Sequence, residues 1–129
     1  CEFFAPNVWW RGIVDLLIVQ KDVAFMVDYK TGKNAKYADT KQLDLLATAI
    51  FVHFPGVNRI NSALLFVVSN EFVKRTHYRD DSESYIAPFE YDVTRIEEAI
   101  QNGVWNAVAS PLCGWCPVKT CINYKEPRR

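Results

Sequence analysis

Arg11-Gly12-Ile13-Val14-Asp15-Leu16-Leu17-Ile18-Val19 and, just beyond it, Val23-Ala24-Phe25-Met26-Val27-Asp28-Tyr29 decide the fold. Both stretches are short, aliphatic and rich in β-branched residues, and so read as buried strands. Lys21-Asp22 between them reads as a tight turn, which makes the pair an antiparallel hairpin. With a two-residue loop, Gln20 pairs with Val23 and Asp15 lies opposite Asp28. Directly opposed residues share a face, with Cβ atoms roughly 4.5–5.5 Å apart. Lys30, two residues past Asp28, points to that same face. A largely apolar sheet thus presents two carboxylates and an ammonium in one patch.

Opposed carboxylates repel, and their burial costs more still. A hard divalent cation such as Mg²⁺ or Mn²⁺ removes both problems, because it takes carboxylate and carbonyl oxygens and fills its shell with water or phosphate. The Tyr29 main-chain carbonyl lies between the two acidic positions and offers a further oxygen. Such a cation acidifies water and polarises a phosphoryl oxygen. Lys30 can then orient the nucleophile or stabilise charge on the phosphate. An isolated Asp-x-Lys is common by chance and reads equally as a surface ion pair. Asp15, set among aliphatic residues, is what shifts the balance toward chemistry. A one-residue slip of register would undo it.

Outward from the hairpin, Thr31 to Tyr37 reads as a polar loop. Asp39 reads as the N-cap of a helix, with Gln42 in a variant capping box and Leu43, Leu46, Ala47, Ile50 and Phe54 at helical spacing up to Pro55-Gly56. Ala63–Ser69 and Phe72–Arg79 read as strands joined near Asn70, and Asp80–Ser84 as a loop. Thr94 and Glu97 form a capping box for a second helix that stops at Gly103. The order β-β-α-β-β-α defines an α/β domain with a mixed sheet. At 129 residues, half of them hydrophobic, the chain is expected to fold as a single domain over 1–129. No apolar run spans a bilayer and no secretory signal is visible. The first residue is Cys1 rather than Met, which reads as a fragment or processed chain.

Fifteen basic and fifteen acidic residues cancel, which argues against binding nucleic acid by bulk charge alone. Lys30, Lys33, Lys36 and Lys41 nevertheless crowd one stretch, as a local basic groove or an ordinary solvated loop. Trp9, Trp10, Trp105 and Trp115 read as core residues rather than base-stacking platforms. His53 reads as a helix-end cap, and His77 has no evident partner. No Ser/His/Asp arrangement is visible.

Cys113, Cys116 and Cys121 form Cys-x2-Cys-x4-Cys, three thiols in nine residues. With no secretory signature, this clustering favours a zinc ion or an iron–sulfur cluster over disulfides, and spacing does not distinguish the two.

Gly12-Ile13-Val14-Asp15, Val27-Asp28-Tyr29-Lys30-Thr31-Gly32-Lys33 and Gln42-Leu43 together resemble the PD-(D/E)xK nuclease superfamily. Within it they are similar to the RecB-like branch of phage exonucleases and CRISPR-associated adaptation nucleases. The resemblance runs from Gly12 to the terminal cysteines and implies a restriction-endonuclease-like core, a central mixed sheet flanked by helices with a C-terminal cysteine motif. It implies Asp15 and Asp28 as metal ligands, Lys30 as the catalytic lysine and Gln42 as a contact to the active site or a DNA phosphate. It further implies a [4Fe–4S] cluster on Cys113, Cys116, Cys121 and one upstream cysteine, for which Cys1 is the candidate, serving as a staple. Leu46 stands where the branch often carries an aromatic residue, and helices that usually precede the Asp strand have no counterpart here.

The expected function is a Mg²⁺- or Mn²⁺-dependent deoxyribonuclease, an exonuclease by preference, acting on DNA in a bacterial cytoplasm or as a phage-encoded protein there. A recombination or CRISPR-adaptation protein is the implied partner. The alternatives are a non-catalytic DNA-binding or assembly subunit with an iron–sulfur or zinc staple, and a small zinc-stabilised interaction domain. The Asp15, Asp28 and Lys30 set argues against the first, since a binding module needs no such trio. In the second the acids are incidental, and metal analysis, iron against zinc, separates it from the nuclease.

Overall fold

The computed structural model describes residues 2–4, 10–36 and 38–125, with side chains from residue 10 onward. Its elements are β1 (Glu2–Phe4), β2 (Arg11–Ile13), β3 (Leu16–Gln20), β4 (Val23–Lys30), α1 (Lys41–His53), β5 (Arg59–Phe66), β6 (Glu71–Tyr78) and α2 (Ser82–Asn102). The fold is α/β, and its centre is a four-stranded mixed sheet in the order β3-β4-β5-β6. β4 and β5 run parallel while the outer pairs are antiparallel. A parallel pair needs a crossover, and α1 supplies it.

The hairpin has the expected register, with Gln20 opposite Val23 and Leu16 opposite Val27. Lys21 adopts φ 54°, the left-handed conformation that a two-residue loop demands at its first position. The Asp22 carbonyl accepts from Asn58 N–H at 2.7 Å and Arg59 N–H at 3.2 Å, which joins this turn to the start of β5.

The expected continuous strand over Arg11–Val19 is in fact two. β2 pairs with β1 in a separate small sheet, and the chain bends at Asp15 before entering β3. The break lets Val14 turn into the core, 1% exposed, while Asp15 stays accessible.

Even-numbered positions of β4 and β5 face α1. Ala24, Met26, Ile60 and Leu64 pack there against Leu43, Leu46, Ala47 and Ile50, the i, i+3, i+4, i+7 stripe of the helix. Gly12 is part of this contact. A Cβ at Gly12 would lie 2.7 Å from Leu46 Cδ2 and 2.8 Å from Trp10 Cζ3. Gly12→Ala is therefore expected to cost about 1–3 kcal/mol, read as a lower denaturation midpoint, because buried Leu46 and the rigid indole must both give way. Leu46, 6% exposed, fills the core at this point.

Both helices start elsewhere than expected. Thr40, not Asp39, is the N-cap of α1, and the Asp39 carboxylate instead accepts from the Lys41 N–H at 2.9 Å. α2 begins at Ser82, twelve residues before Thr94, absorbing the expected loop and holding Pro88 inside it. Its end is as expected, with Gly103 at φ 66° providing the left-handed stop. The strands after α1 are also shifted, since β5 starts at Arg59 rather than Ala63.

By its internal contacts the chain divides into two compact units, Cys1–Tyr91 and Asp92–Arg129, with the division inside α2. The first holds the sheets and α1. The second holds the end of α2 and a short 3-10 turn at Pro111–Trp115. Trp105 and Trp115 are 66% and 76% exposed, so the core role expected for them does not hold, and neither has enough apolar neighbours to cover it. Trp10 packs on the core, and Trp9 lies outside the described residues. No helix among the described residues is long and apolar enough to cross a membrane.

Candidate active site

Asp28 and Lys30 occupy alternate positions at the end of β4, on the face that α1 covers. Lys30 Nζ lies 2.8 Å from Asp28 Oδ2 and donates to Gln42 Oε1 at 2.9 Å. Gln42 therefore does not close a capping box; its amide is spent on the lysine. The ammonium is fixed between a carboxylate on the sheet and an amide on the helix, which restricts a side chain that otherwise has many rotamers.

Asp15 reaches the same strand end from the bend before β3. Its Oδ2 accepts the Tyr29 backbone N–H at 2.8 Å, so the carboxylate is tied to the residue between Asp28 and Lys30. Continuing the β3–β4 register by one step past Leu16–Val27 sets Asp15 across from Asp28. Asp15, Asp28, Lys30 and Gln42 are thus brought together at one end of the sheet.

The acids fit a hard cation on one particular observation. Asp28 Oδ2 is buried and is ion-paired to the Lys30 ammonium at 2.8 Å. Two neighbouring carboxylates beside one ammonium leave an excess of negative charge, which a cation offsets. Two carboxylates leave the rest of a coordination shell to main-chain oxygen, water and substrate, as Mg²⁺ prefers. Among the described residues no group of three or more His, Cys, Asp or Glu side chains is placed to hold a metal.

The loop after β4 is tied down at a distance. Ala35 N–H donates to Glu71 Oε2 at 2.7 Å, which anchors the segment bearing exposed Lys33 and Lys36 to the start of β6.

His77, for which the sequence shows no partner, lies at the centre of a buried network and is 0% exposed. Its Nε2 is 2.8 Å from Asp44 Oδ1, its Nδ1 is 3.3 Å from Ser62 Oγ, and its ring meets Tyr85 edge-on at 5.0 Å. Burial pushes the imidazole below its ordinary range, opposed by the hydrogen bond and charge of Asp44, with a small further lowering from Arg75. Ser62, His77 and Asp44 do align, contrary to the sequence reading. Ser62 is only 3% exposed, so no substrate reaches it and the set is structural. The sequence carries one signal for it: Asp44 follows Leu43 on the inward side of an apolar helix, where a charge requires a partner.

The three tail cysteines carry free thiols and are partly exposed. Cys113 Sγ accepts from Ser110 N–H at 3.2 Å and Cys121 Sγ from Asn123 N–H at 3.4 Å. Cys1 lies outside the described residues.

A strand-end acid pair with a lysine fixed beside it thus lies at one end of the α/β sheet. Residues 3–121 match the PD-(D/E)XK nuclease superfamily, and the chain belongs to that family. No curated protein and no solved structure compared with the chain matches it.

Proposed function

We propose that this chain is a Mg²⁺- or Mn²⁺-dependent deoxyribonuclease of the RecB-like branch, acting from DNA ends. The observation that carries the reading is the pair of acids, Asp15 and the buried Asp28, at one strand end beside a lysine held by Gln42. Asp15 and Asp28, with the Tyr29 carbonyl, would hold the cation. Bound there, it would supply Lewis acidity toward a phosphoryl oxygen and acidify water. Lys30 stands within reach of that position and orients the attacking water or stabilises the developing negative charge. Gln42 accepts one N–H of the ammonium, which holds the lysine between α1 and Asp28. Exposed Lys33, Lys36 and Lys41 flank the site and attract the phosphate backbone.

Cys113, Cys116 and Cys121 are proposed as a structural staple for an iron–sulfur cluster or zinc. Backbone N–H groups already aimed at two of the sulfurs suit thiolate ligands.

The test is incubation with end-labelled linear and circular DNA in Mg²⁺ or Mn²⁺. Linear DNA is expected to be degraded and circular DNA spared, a chelator to stop the reaction, and restored metal to revive it. Cleavage of neither substrate would remove the nuclease reading. Equal cleavage of both would remove the exonuclease part alone.

A further inference from the structure

From the contacts around its first turn, we infer that α1 is locked in its rotation about its own axis by Arg75 and His77 on β6, and that this lock positions Gln42 against Lys30. The inference rests on the nuclease reading only insofar as it makes Arg75 a positioning residue for catalysis.

The sheet order places β5 between β4 and β6, so α1 crosses above it with a neighbour on each side. Gln42 reaches Lys30 on β4. Asp44, two residues later and therefore about 200° around the helix axis, reaches β6. Its Oδ1 is ion-paired with Arg75 Nε at 3.0 Å and lies 2.8 Å from His77 Nε2. Arg75 Nη1 also donates to the Thr40 hydroxyl at 3.2 Å. Thr40 is the N-cap, yet its side chain caps no backbone N–H; its hydroxyl serves the arginine instead. One guanidinium thus holds two points of the first turn.

Contacts on opposite sides of a helix resist rolling, whereas the apolar stripe beneath resists mainly separation. Burying Asp44 with His77 costs desolvation that well-packed leucines would avoid. What the polar set adds is position, because hydrogen bonds have direction. His77 is held in turn by Ser62, whose hydroxyl also lies 3.0 Å from the Arg75 carbonyl. An ionised carboxylate only accepts, so Nε2–H donates to Asp44, while the Ser62 hydroxyl, 3.3 Å from Nδ1, donates its proton to the Arg75 carbonyl.

The decisive experiment is a double-mutant cycle of Arg75→Ala with Gln42→Ala, read as kcat and KM on DNA, beside amide hydrogen exchange. Arg75→Ala is expected to lower kcat about ten- to a hundredfold, the usual scale for a misplaced catalytic group, with KM nearly unchanged. The double variant should be no slower than the slower single variant, since both act through Lys30. Exchange in the first turn of α1 should quicken at least tenfold while its last turn is unchanged. Thr40→Val, which removes only the hydroxyl, should show the same pattern at a few-fold level and covers a poorly folding Arg75 variant. Additive losses, or a raised KM from direct DNA contact, would overturn the inference. So would unchanged first-turn exchange, whether or not the wild type cleaves DNA. An inactive wild type whose first turn loosens in Arg75→Ala would instead retain the lock and discard the nuclease reading.

Discussion

Asp28→Asn is expected to slow metal-dependent DNA cleavage by about a thousandfold or more while moving the unfolding temperature by only a few degrees. The substitution keeps shape and removes charge. A neutral amide is a poor ligand for a hard divalent cation, so both the ion and its hold on a phosphoryl oxygen are lost together. Loss of one group that stabilises the transition state by electrostatics costs about a hundred- to a thousandfold, and loss of the ion itself costs more. Stability behaves differently. The Lys30–Asp28 ion pair is lost, but Lys30, 33% exposed, can turn to water and keep its bond to Gln42, which limits the cost. Single-turnover cleavage and thermal unfolding measured on the same preparation separate the two effects. Retention of a tenth or more of the rate would rule out Asp28 as a metal ligand.

His77→Ala is expected to do the reverse in kind, destabilising the chain by about 3–5 kcal/mol and lowering its unfolding temperature by roughly 10–20 °C. The side chain is fully buried, so its removal leaves a cavity that the sheet and α1 cannot close. It also strips a partner from Asp44 and from Ser62, and unsatisfied buried groups add their own cost. The same residue sets a pH dependence. Burial lowers its pKa in the folded chain from the ordinary 6.5, so the unfolded chain binds the proton more readily. Stability from this group is therefore complete above about pH 6.5 and is lost as pH falls through the folded value. His77→Gln should flatten that fall. A slope unchanged in the variant would assign it to other groups.

Much of the site is legible in the amino-acid sequence, because it depends on short-range geometry. A two-residue turn at Lys21-Asp22 determines register, and register alone opposes Asp15 to Asp28. The bend at Asp15 is hidden there, since an aliphatic run gives no sign of where a strand passes from one sheet to another. The start of α1 misleads because Asp39 and Gln42 satisfy a capping pattern whose members are engaged elsewhere: Asp39 with Lys41, Gln42 with Lys30. For α2, the polar run from Asp80 to Ser84 reads as loop, yet Ser82 opens a helix there. The His77–Asp44 pair lies 33 residues apart in sequence, beyond any local pattern.

Arg79 has a consequence for the order in which the molecule can be assembled. Its guanidinium donates to the carbonyls of Phe51, Phe54 and Val57, at 2.9, 2.8 and 2.8 Å, and stacks over Phe51. These are carbonyls at and just past the end of α1, of which that of Phe54 also accepts from Val57 N–H, and the guanidinium that binds all three is encoded more than twenty residues downstream. A thirteen-residue helix is marginal on its own in water. On the ribosome, α1 would therefore stay unfinished until Arg79 has cleared the exit tunnel, so the segment bearing Gln42 matures only with the last strand.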